Sequence, residues 1–347
     1  MTIRSLIRSD LQDFEPYRSA RSLYSKGIFM DANENSLGSA VELPLEQELN
    51  RYPDPFSTEL REALAAYVGT KKENIFVGNG SDEAIDLLIR LFVERDEEIL
   101  IVEPTYGMYR VAANLAGVKV ATFSLSSDFT LDADDLLAAV TPKTKMLFLC
   151  SPNNPTGQLV EPAALERICN TFKGIVVLDE AYIEFASEPS AVSKIGGLDT
   201  LVVLRTFSKA WGLAGIRVGY AVANKDVVEY LNKIKPPYNL NRVSARIALT
   251  ALGKQAKMTE LKDAILKERA QLAEGLAKLG FEVFPSEANF VLARRVGAGT
   301  LTRKLAEGPG IIIREFTSQP LLKDCVRISV GTPEENTALL EAIAKII

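Results

Sequence analysis

The sequence predicts a two-domain α/β protein whose larger domain contains a mainly parallel sheet of seven strands. Short apolar runs, each bounded by turn residues, recur through the first two-thirds of the chain. Helical stretches separate most of these runs, and this alternation is typical of a parallel sheet with helices on both faces. The runs predicted as strands are residues 74–77, 99–102, 118–123, 146–149, 175–178, 201–204 and 218–223. The helical stretches include residues 83–93, 162–172 and 226–234.

The segment KPPYNLN at 235–241 breaks the alternation with two prolines and predicts a domain boundary. We expect a large domain over residues 31–235 and a smaller α+β domain over residues 236–347. Residues 1–30 are expected to form an arm that contributes to the small domain and to the functional site. The predicted elements of the small domain are a helical region at 243–279, strands near 282–284, 290–293, 311–314 and 325–330, and a terminal helix.

The composition of the 347-residue chain limits its partners. Apolar residues make up 47% and charged residues 24%, a globular balance that supports a large core. The net charge of −5 argues against nucleic acid or an anionic membrane as the main partner. The chain has no run of about 18 apolar residues and no signal-peptide pattern at its start. Because its three cysteines are scattered and form no CxxC pair, we expect a cytoplasmic protein.

The chain contains no histidine. This excludes Ser-His-Asp and Cys-His catalysis, HExxH zinc sites and every histidine general base. Since the cysteines are also scattered, we expect no transition-metal site. Any acid–base chemistry must come from Lys, Asp, Glu, Tyr or Cys side chains, or from a cofactor.

The segment TFSKAWGLAGIRVGY at 206–220 is the most informative part of the sequence. Thr206, Ser208 and Arg217 offer two hydroxyls and a guanidinium to a phosphate, and Lys209 places an amine beside them. A lysine next to a phosphate site suits pyridoxal phosphate, which carries both an aldehyde and a phosphate. The alternative is a surface lysine at a strand-to-helix turn. The flanking hydroxyls, the apolar strand before them and Arg217 favour the cofactor.

A second anion site is predicted where GNGSDEA follows the strand at 74–77. Its glycines would let the backbone amides of Ser81 and Asp82 approach an anion at the start of a helix. Alternatively, Ser81 or Asp82 caps that helix, and the two readings are compatible. The segment does not fit GxGxxG, so a dinucleotide site is disfavoured.

Three further motifs follow predicted strands, at the sheet edge where open parallel sheets bind ligands. In DEAY, the buried carboxylate of Asp179 needs a cation, and a protonated pyridine nitrogen would serve; the alternative is a helix cap. In EPTYGMY, Tyr106 could stack on a flat ring or simply pack. In SPNNPTG, Asn153 and Asn154 offer donors, although turn formation alone would explain the composition.

These motifs together resemble the fold-type I pyridoxal-phosphate-dependent aminotransferases, most closely the histidinol-phosphate aminotransferase branch. The resemblance spans almost the whole chain, and NPTG, DEAY and SKxxxLAGxRxGY are highly specific for the superfamily. DANEN at 31–35, RYPDP at 51–55 and KPPYN at 235–239 indicate the histidinol-phosphate branch. The other matching segments are EPY near the start, GNGSDE at 78–83, EPTYGMY at 103–109, SPNNPTG at 151–157, DEAY at 179–182 and VRISVGT at 326–332.

The resemblance implies pyridoxal 5′-phosphate as the cofactor and assigns residues to it. Lys209 would bond to the cofactor aldehyde and then move the proton between Cα and C4′, and Asp179 would pair with the pyridine nitrogen. The remaining cofactor contacts would be Tyr182 and Asn154 to the ring hydroxyl, Tyr106 on the ring face, and Ser81, Asp82, Thr206, Ser208 and Arg217 around the phosphate. Trp211 stands where a smaller aromatic is usual, and we interpret it as packing.

The resemblance also implies a homodimer with shared active sites, because Tyr52 would reach the phosphate site of the partner subunit. Arg327 would bind the carboxylate of glutamate, and Arg314 with Arg327 would bind the phosphate of histidinol phosphate. Tyr17 and Asn33 would line that pocket from the arm.

The implied activity is amino transfer from L-histidinol phosphate to 2-oxoglutarate in histidine biosynthesis. The alternatives are an aminotransferase for aromatic or other amino acids, and threonine-phosphate decarboxylase. A non-catalytic pyridoxal-phosphate module of a regulator is disfavoured, because the acidic chain has no room for a DNA-binding domain. A dinucleotide-dependent dehydrogenase is disfavoured by the poor glycine fingerprint.

Overall fold

The computed structural model describes residues 2–8, 12, 49–316 and 319–347. Within these residues a seven-stranded sheet has the order β1-β7-β6-β5-β4-β2-β3. β7 runs antiparallel to β1 and β6, and the other neighbours are parallel. The strands are β1 (Ile75–Asn79), β2 (Glu98–Glu103), β3 (Lys119–Ser124), β4 (Thr144–Cys150), β5 (Ile175–Asp179), β6 (Leu201–Thr206) and β7 (Val218–Val222). All seven predicted strands are therefore confirmed.

A second sheet is formed by the C-terminal part of the chain. Its four strands are all antiparallel, in the order β10-β11-β9-β8. They are β8 (Glu282–Val283), β9 (Phe290–Arg294), β10 (Arg314–Glu315) and β11 (Cys325–Ser329).

Helices cover both faces of the large sheet and pack on the small one. Those of the first part of the chain are α1 (Thr58–Val68), α2 (Ser81–Phe92), α3 (Met108–Leu115), α4 (Ala133–Ala138), α5 (Pro162–Thr171) and α6 (Lys225–Ile234). Those that follow are α7 (Arg242–Leu252), α8 (Gln255–Lys278), α9 (Ala298–Glu307) and α10 (Pro333–Ile346). None of the helices in the described part of the chain has both the length and the apolar character to cross a membrane.

The apolar core lies on both faces of the large sheet because successive strand residues point to opposite sides. Phe76 and Ile101 belong to the cluster under α2, α3 and α6. Val77 and Leu100 belong to the cluster under α1, α5 and α7. Since every central strand is buried on both faces, the strands appear in the sequence as continuous apolar runs.

Local signals in the sequence set several helix starts. Asn224 and Asn241 accept N-terminal amides of α6 and α7, and Thr332 forms a capping box with Glu335 at the start of α10. A side chain that accepts these amides satisfies donors that have no partner within the helix.

Two predicted elements of the C-terminal part differ from the structure. The helical region at 243–279 is two helices, because the chain turns at Gly253 and Lys254, where the Lys254 amide donates to the Ala251 carbonyl; glycine is a poor helix former. The strand predicted at 311–314 is only β10. The Ile311 amide bonds to the Leu305 carbonyl of α9 at 2.9 Å, so the chain is still leaving that helix.

The predicted N-terminal arm is only partly described. Its start packs against the large sheet rather than the small domain, since Ile3, Leu6 and Ile7 are buried with α2 and α6. The Arg8 guanidinium also donates to the Arg90 carbonyl at 2.8 Å. This first segment therefore contacts the large domain, and the contribution of residues 1–30 to the small domain stays a prediction. The rest of residues 1–30 lies almost entirely outside the described residues.

Candidate active site

The carboxyl ends of β4, β5 and β6 bring three of the predicted motifs to one edge of the sheet. Cys150 pairs with Asp179, and Asp179 pairs with Leu204, so the three strands end at nearly the same level. The loops that follow carry Asn154, Tyr182 and Lys209. This edge is where open parallel sheets place ligands.

Lys209 lies at the centre of this group. It is half-buried three residues after the end of β6, and its Nζ lies 5.4 Å from the centre of the Tyr182 ring. Burial lowers the pKa of the Lys209 amine, and the positive charge of Arg327 lowers it further. A lysine with a lowered pKa is more often neutral at physiological pH and can act as a nucleophile.

Asp179 ends β5 and is buried. Its Oδ2 accepts the Tyr109 hydroxyl at 2.7 Å, and its Oδ1 accepts the Ala181 amide at 3.1 Å. Burial raises the pKa of the Asp179 carboxyl to about 6, against the effect of these two hydrogen bonds. A buried carboxylate of this kind is stabilised by a cation placed against it.

Tyr109 is a site residue that the sequence reasoning missed. It stands three positions after Tyr106 in EPTYGMY, and both aromatic residues of this motif approach the site. The Tyr106 hydroxyl donates to Asp82 at 3.1 Å, and its ring meets the Tyr109 ring edge-on at 5.5 Å. The second tyrosine of the motif was the available signal.

The predicted phosphate residues also come together. Arg217 Nη2 lies 3.2 Å from Asp82 Oδ2, and Arg217 Nη1 donates to Ser208 Oγ at 3.4 Å. The Thr206 hydroxyl donates to Ser208 Oγ at 3.0 Å. Because a carboxylate side chain repels an anion, Asp82 can help a phosphate only through its backbone amide, while its side chain holds Arg217 and Tyr106.

Two glycines allow the close approach of Arg217 and of the start of α2 at this predicted phosphate site. Arg217 adopts a left-handed backbone with φ 53°, and a Cβ added to Gly80 would lie 2.6 Å from its Nη2. A Cβ on Gly219 would lie 2.2 Å from the backbone nitrogen of Ser81. Helix α2 begins at Ser81 with Gly80 as its N-cap and no side-chain cap. The start of α2 is thus uncapped and carries backbone amides suited to an anion.

Asn154, Tyr182 and Arg327 form a second polar group beside Lys209. Asn154 Nδ2 donates to the Tyr182 hydroxyl at 3.4 Å, and Arg327 Nη1 donates to Asn154 Oδ1 at 2.5 Å. Asn153 instead shapes its own turn, where its amide donates to the Gln158 carbonyl and its side chain donates to Thr156 Oγ1 at 2.9 Å. Its side chain also donates to the Pro104 carbonyl of the loop after β2 at 2.9 Å. The turn-forming alternative therefore describes Asn153.

Arg314 lies directly opposite Arg327 in the register of β10 and β11. Arg314 is exposed and Arg327 is half-buried, and burial, together with the charge of Arg314, lowers the pKa of Arg327. Among the described residues, no ion pair joins Arg314 to Glu315 or Glu334. The two guanidiniums are therefore close enough for the charge of Arg314 to act on Arg327.

Tyr52 lies outside this group of residues. It is 46% exposed and stacks on Tyr238, with ring centres 4.4 Å apart. The loop that carries it is tied to KPPYN, since buried Lys235 donates to the Pro55 carbonyl at 2.7 Å and Arg242 donates to the Tyr52 carbonyl at 2.9 Å.

Two of the predicted site residues, Tyr17 and Asn33, lie outside the described residues. Trp211 is buried against Phe207 and Tyr67, with ring centres 5.4 and 5.5 Å away. Its expected role in packing is confirmed.

Comparisons with known proteins agree with this geometry. The sequence profile of the family "Aminotransferase class I and II" matches residues 29–343. Histidinol-phosphate aminotransferase from Cytophaga hutchinsonii is 45% identical over 347 aligned residues, which cover 99% of this chain and 98% of that protein. The chain belongs to the class I and II aminotransferase family.

Solved structures show the same fold. The histidinol-phosphate aminotransferase of Clostridium acetobutylicum matches with a TM-score of 0.80 and 29% identity, covering 86% of this chain and 91% of that one. The enzyme from Sinorhizobium meliloti, in complex with pyridoxal-5′-phosphate, matches with a TM-score of 0.79 and 27% identity, covering 86% and 84%. The expected fold-type I architecture is therefore confirmed.

Proposed function

We propose that this protein is a pyridoxal-phosphate-dependent histidinol-phosphate aminotransferase that transfers an amino group from L-histidinol phosphate to 2-oxoglutarate. The observation that carries the substrate assignment is the pair Arg314 and Arg327, which lie side by side with Arg327 reaching Asn154. Two guanidiniums repel each other when alone, and a dianionic phosphate relieves this repulsion better than a carboxylate does. The similarity to named histidinol-phosphate aminotransferases supports the same substrate.

The residues of the site fit the proposed cofactor. The uncapped start of α2, Ser208 and Arg217 suit its phosphate. Because Gly80 and Gly219 have no side chains, Arg217 and the backbone of Ser81 can approach them closely. Asp179 suits a protonated ring nitrogen, because an ion pair at ~3 Å and an effective dielectric of ~20 gains about 5 kcal/mol before desolvation. Asn154 and Tyr182 suit the ring hydroxyl, and Tyr106 suits a ring face.

When bound, pyridoxal phosphate supplies an aldehyde for the amine and a ring that accepts electrons from the reacting carbon. Lys209 supplies an amine whose lowered pKa favours the neutral form, and it can hold and return a proton at its Nζ. Asp179 holds a positive charge at the buried end of the site. Arg327 and Arg314 bind and orient the substrate anions.

We also propose a homodimer in which Tyr52 completes the phosphate site of the partner subunit, and Tyr17 and Asn33 line the substrate pocket. The exposed aromatic ring of Tyr52 and its fixed loop support this arrangement. We propose that the arm ends at residue 30 and that the large domain ends at residue 235. A cytosolic location is supported by three buried, free cysteines.

The activity is tested by assaying the purified protein with histidinol phosphate, phenylalanine, tyrosine and threonine phosphate side by side, with 2-oxoglutarate as acceptor. We expect glutamate to form fastest with histidinol phosphate. Faster turnover of phenylalanine or tyrosine would favour an aromatic aminotransferase. Release of carbon dioxide from threonine phosphate would indicate a decarboxylase.

A further inference from the structure

Tyr109 is a fully buried tyrosine whose hydroxyl points at the most buried charge of the site. Its ring lies in the first turn of α3, stacked on Phe148 with centres 4.7 Å apart, and meets Tyr106 edge-on. Phenylalanine would make these same ring contacts. The hydroxyl adds the 2.7 Å hydrogen bond to Asp179 Oδ2 and an interaction with the neighbouring Cys150 thiol.

Asp179 has few donors for a buried carboxylate. The Ala181 amide binds Oδ1 and the Tyr109 hydroxyl binds Oδ2, so the two bonds fix the orientation of the carboxylate plane. The charged groups that influence it are Asp82, which opposes its ionisation, and Lys209, which favours it. The adjacent Cys150 thiol donates instead to the Pro152 carbonyl at 3.4 Å. Tyr109 is therefore the side-chain donor that supports the ionised form.

We propose that Tyr109 is a positioning residue that keeps Asp179 ionised and turned toward the ring nitrogen of the bound cofactor. This role deepens the proposed function and rests on it. A neutral Asp179 could not hold a positive charge, and burial already raises the pKa of this carboxyl to about 6. Without the tyrosine donor the carboxyl would remain protonated at higher pH, because a hydrogen bond to the charged form favours ionisation.

The test compares Tyr109→Phe with Tyr230→Phe in the holoenzyme. Tyr230 is a matched control, since it is also buried and its hydroxyl donates at 2.7 Å to the Gln12 carbonyl, an acceptor outside the site. The protonation of the cofactor is read directly by the ¹⁵N NMR shift of pyridoxal phosphate labelled at the ring nitrogen. Cofactor dissociation constants are measured by spectral titration of the apoenzymes.

We expect Tyr109→Phe to move the ring-nitrogen signal toward the unprotonated form and to weaken cofactor binding by about ten- to a hundredfold. Its kcat should fall by a similar factor with KM nearly unchanged. The acidic limb of its pH profile should move up by about one to two pH units. Tyr230→Phe should match the wild type in all four measurements.

A second variant keeps the test decisive if Tyr109→Phe folds poorly. Fluorotyrosine at position 109 retains the ring and has a more acidic hydroxyl, which is a stronger donor. The acidic limb should then move to lower pH. A folded Tyr109→Phe holoenzyme with an unchanged nitrogen signal, cofactor affinity and pH limb would overturn the role of Tyr109 alone. Wild-type protein that binds no pyridoxal phosphate would overturn the proposed function as well.

Discussion

The charges around single residues determine what the site can do. Lys209 is partly buried and lies near the charge of Arg327, and both effects lower its pKa. Asp179, at the end of the neighbouring strand β5, has its pKa raised by burial. The pKa values of the Lys209 amine and the Asp179 carboxyl are therefore closer together than those of the free side chains in water. Shifts of this kind are typical of sites that carry out acid–base chemistry.

Replacing Lys209 with alanine should abolish covalent attachment of the cofactor and transamination. Lys209 is the lysine whose Nζ lies against the Tyr182 ring and whose pKa is lowered by the charge of Arg327. Borohydride treatment followed by peptide mapping should trap the cofactor on Lys209 in the wild type. Lys143→Ala, which alters an exposed lysine far from the site, should behave as the wild type. Cofactor trapped on any other lysine would show the assignment to be wrong.

Replacing Arg327 with methionine should raise the pKa of Lys209, because it removes the larger of the two positive charges, Arg327 and Arg217, that lower this pKa in addition to burial. The ammonium form then persists to higher pH, so the midpoint pH for trapping the cofactor should rise by about one unit. Arg294→Met, which removes an arginine paired with Glu282, should leave this midpoint in place. A midpoint that moves down or stays fixed in Arg327→Met would contradict the electrostatic coupling.

Replacing Arg314 should slow the reaction of histidinol phosphate more than the reaction of glutamate. Arg314→Ala should lower kcat/KM for histidinol phosphate about ten- to a hundredfold, the cost of one lost phosphate contact, and spare the glutamate half-reaction. Arg327→Ala should damage both half-reactions, because it would bind both anions. Single-turnover kinetics of each half-reaction separates the two. Equal losses for Arg314→Ala would remove the reason for preferring histidinol phosphate.

At the scale of secondary structure, the strands and the phosphate-binding helix start could be predicted from the sequence, because doubly buried strands and glycine turns leave strong local patterns. The residues after the strand ends, such as Asp179 and Lys209, could be placed from that prediction. The break between α7 and α8 at Gly253 could not be predicted, because a single glycine does not determine where a helix ends. The short β10 depends on how the chain leaves α9, and no local pattern predicts that. Tyr109 was missed because its partner lies 70 positions away, across three strands.

The approach of β7 to the start of α2 gives a prediction at this scale. A Cβ at Gly219 would meet backbone atoms of Gly80 and Ser81, which cannot rotate away. Gly219→Ala should lower the free energy of unfolding by about 1–3 kcal/mol and weaken cofactor binding. Gly107→Ala, with no atom within 4 Å of the added Cβ, should change stability by less than about 0.5 kcal/mol. Urea unfolding of the apoproteins measures both, and equal stability of the two variants would contradict the close approach.

At the scale of the whole molecule, the site joins distant parts of the chain. Arg327 comes from the second sheet to reach Asn154 of the first, and the Glu287 amide donates to the Gly157 carbonyl at 2.7 Å. The loop with Tyr52 is fixed by Lys235 and Arg242, from the segment that connects the two sheets. The position of Tyr52 is thus tied to the same segment that leads into the second sheet.

Mixed dimers test whether Tyr52 serves the partner subunit. Lys209→Ala chains and Tyr52→Ala chains are each expected to be inactive, but a hybrid dimer contains one site with both residues intact. Each hybrid dimer should have half of the activity of a wild-type dimer, so an equal mixture after random exchange should recover up to about a quarter of wild-type activity. Mixing Lys209→Ala with Asp179→Ala should restore no activity. Lys209 and Asp179 of each site come from the same chain, so both sites of a hybrid dimer keep one defect. No recovery in the first mixture after verified exchange would show that each site is built from one chain.

The proposed site relies on lysine, aspartate and tyrosine for its acid–base chemistry, and the 347-residue sequence contains no histidine. The proposed enzyme would therefore be free of the amino acid that its own reaction helps to make. Ribosomes need no histidyl-tRNA to complete it, so its translation does not stall at histidine codons when histidine is exhausted. A cell starved of histidine could still synthesise the catalyst that restores its supply.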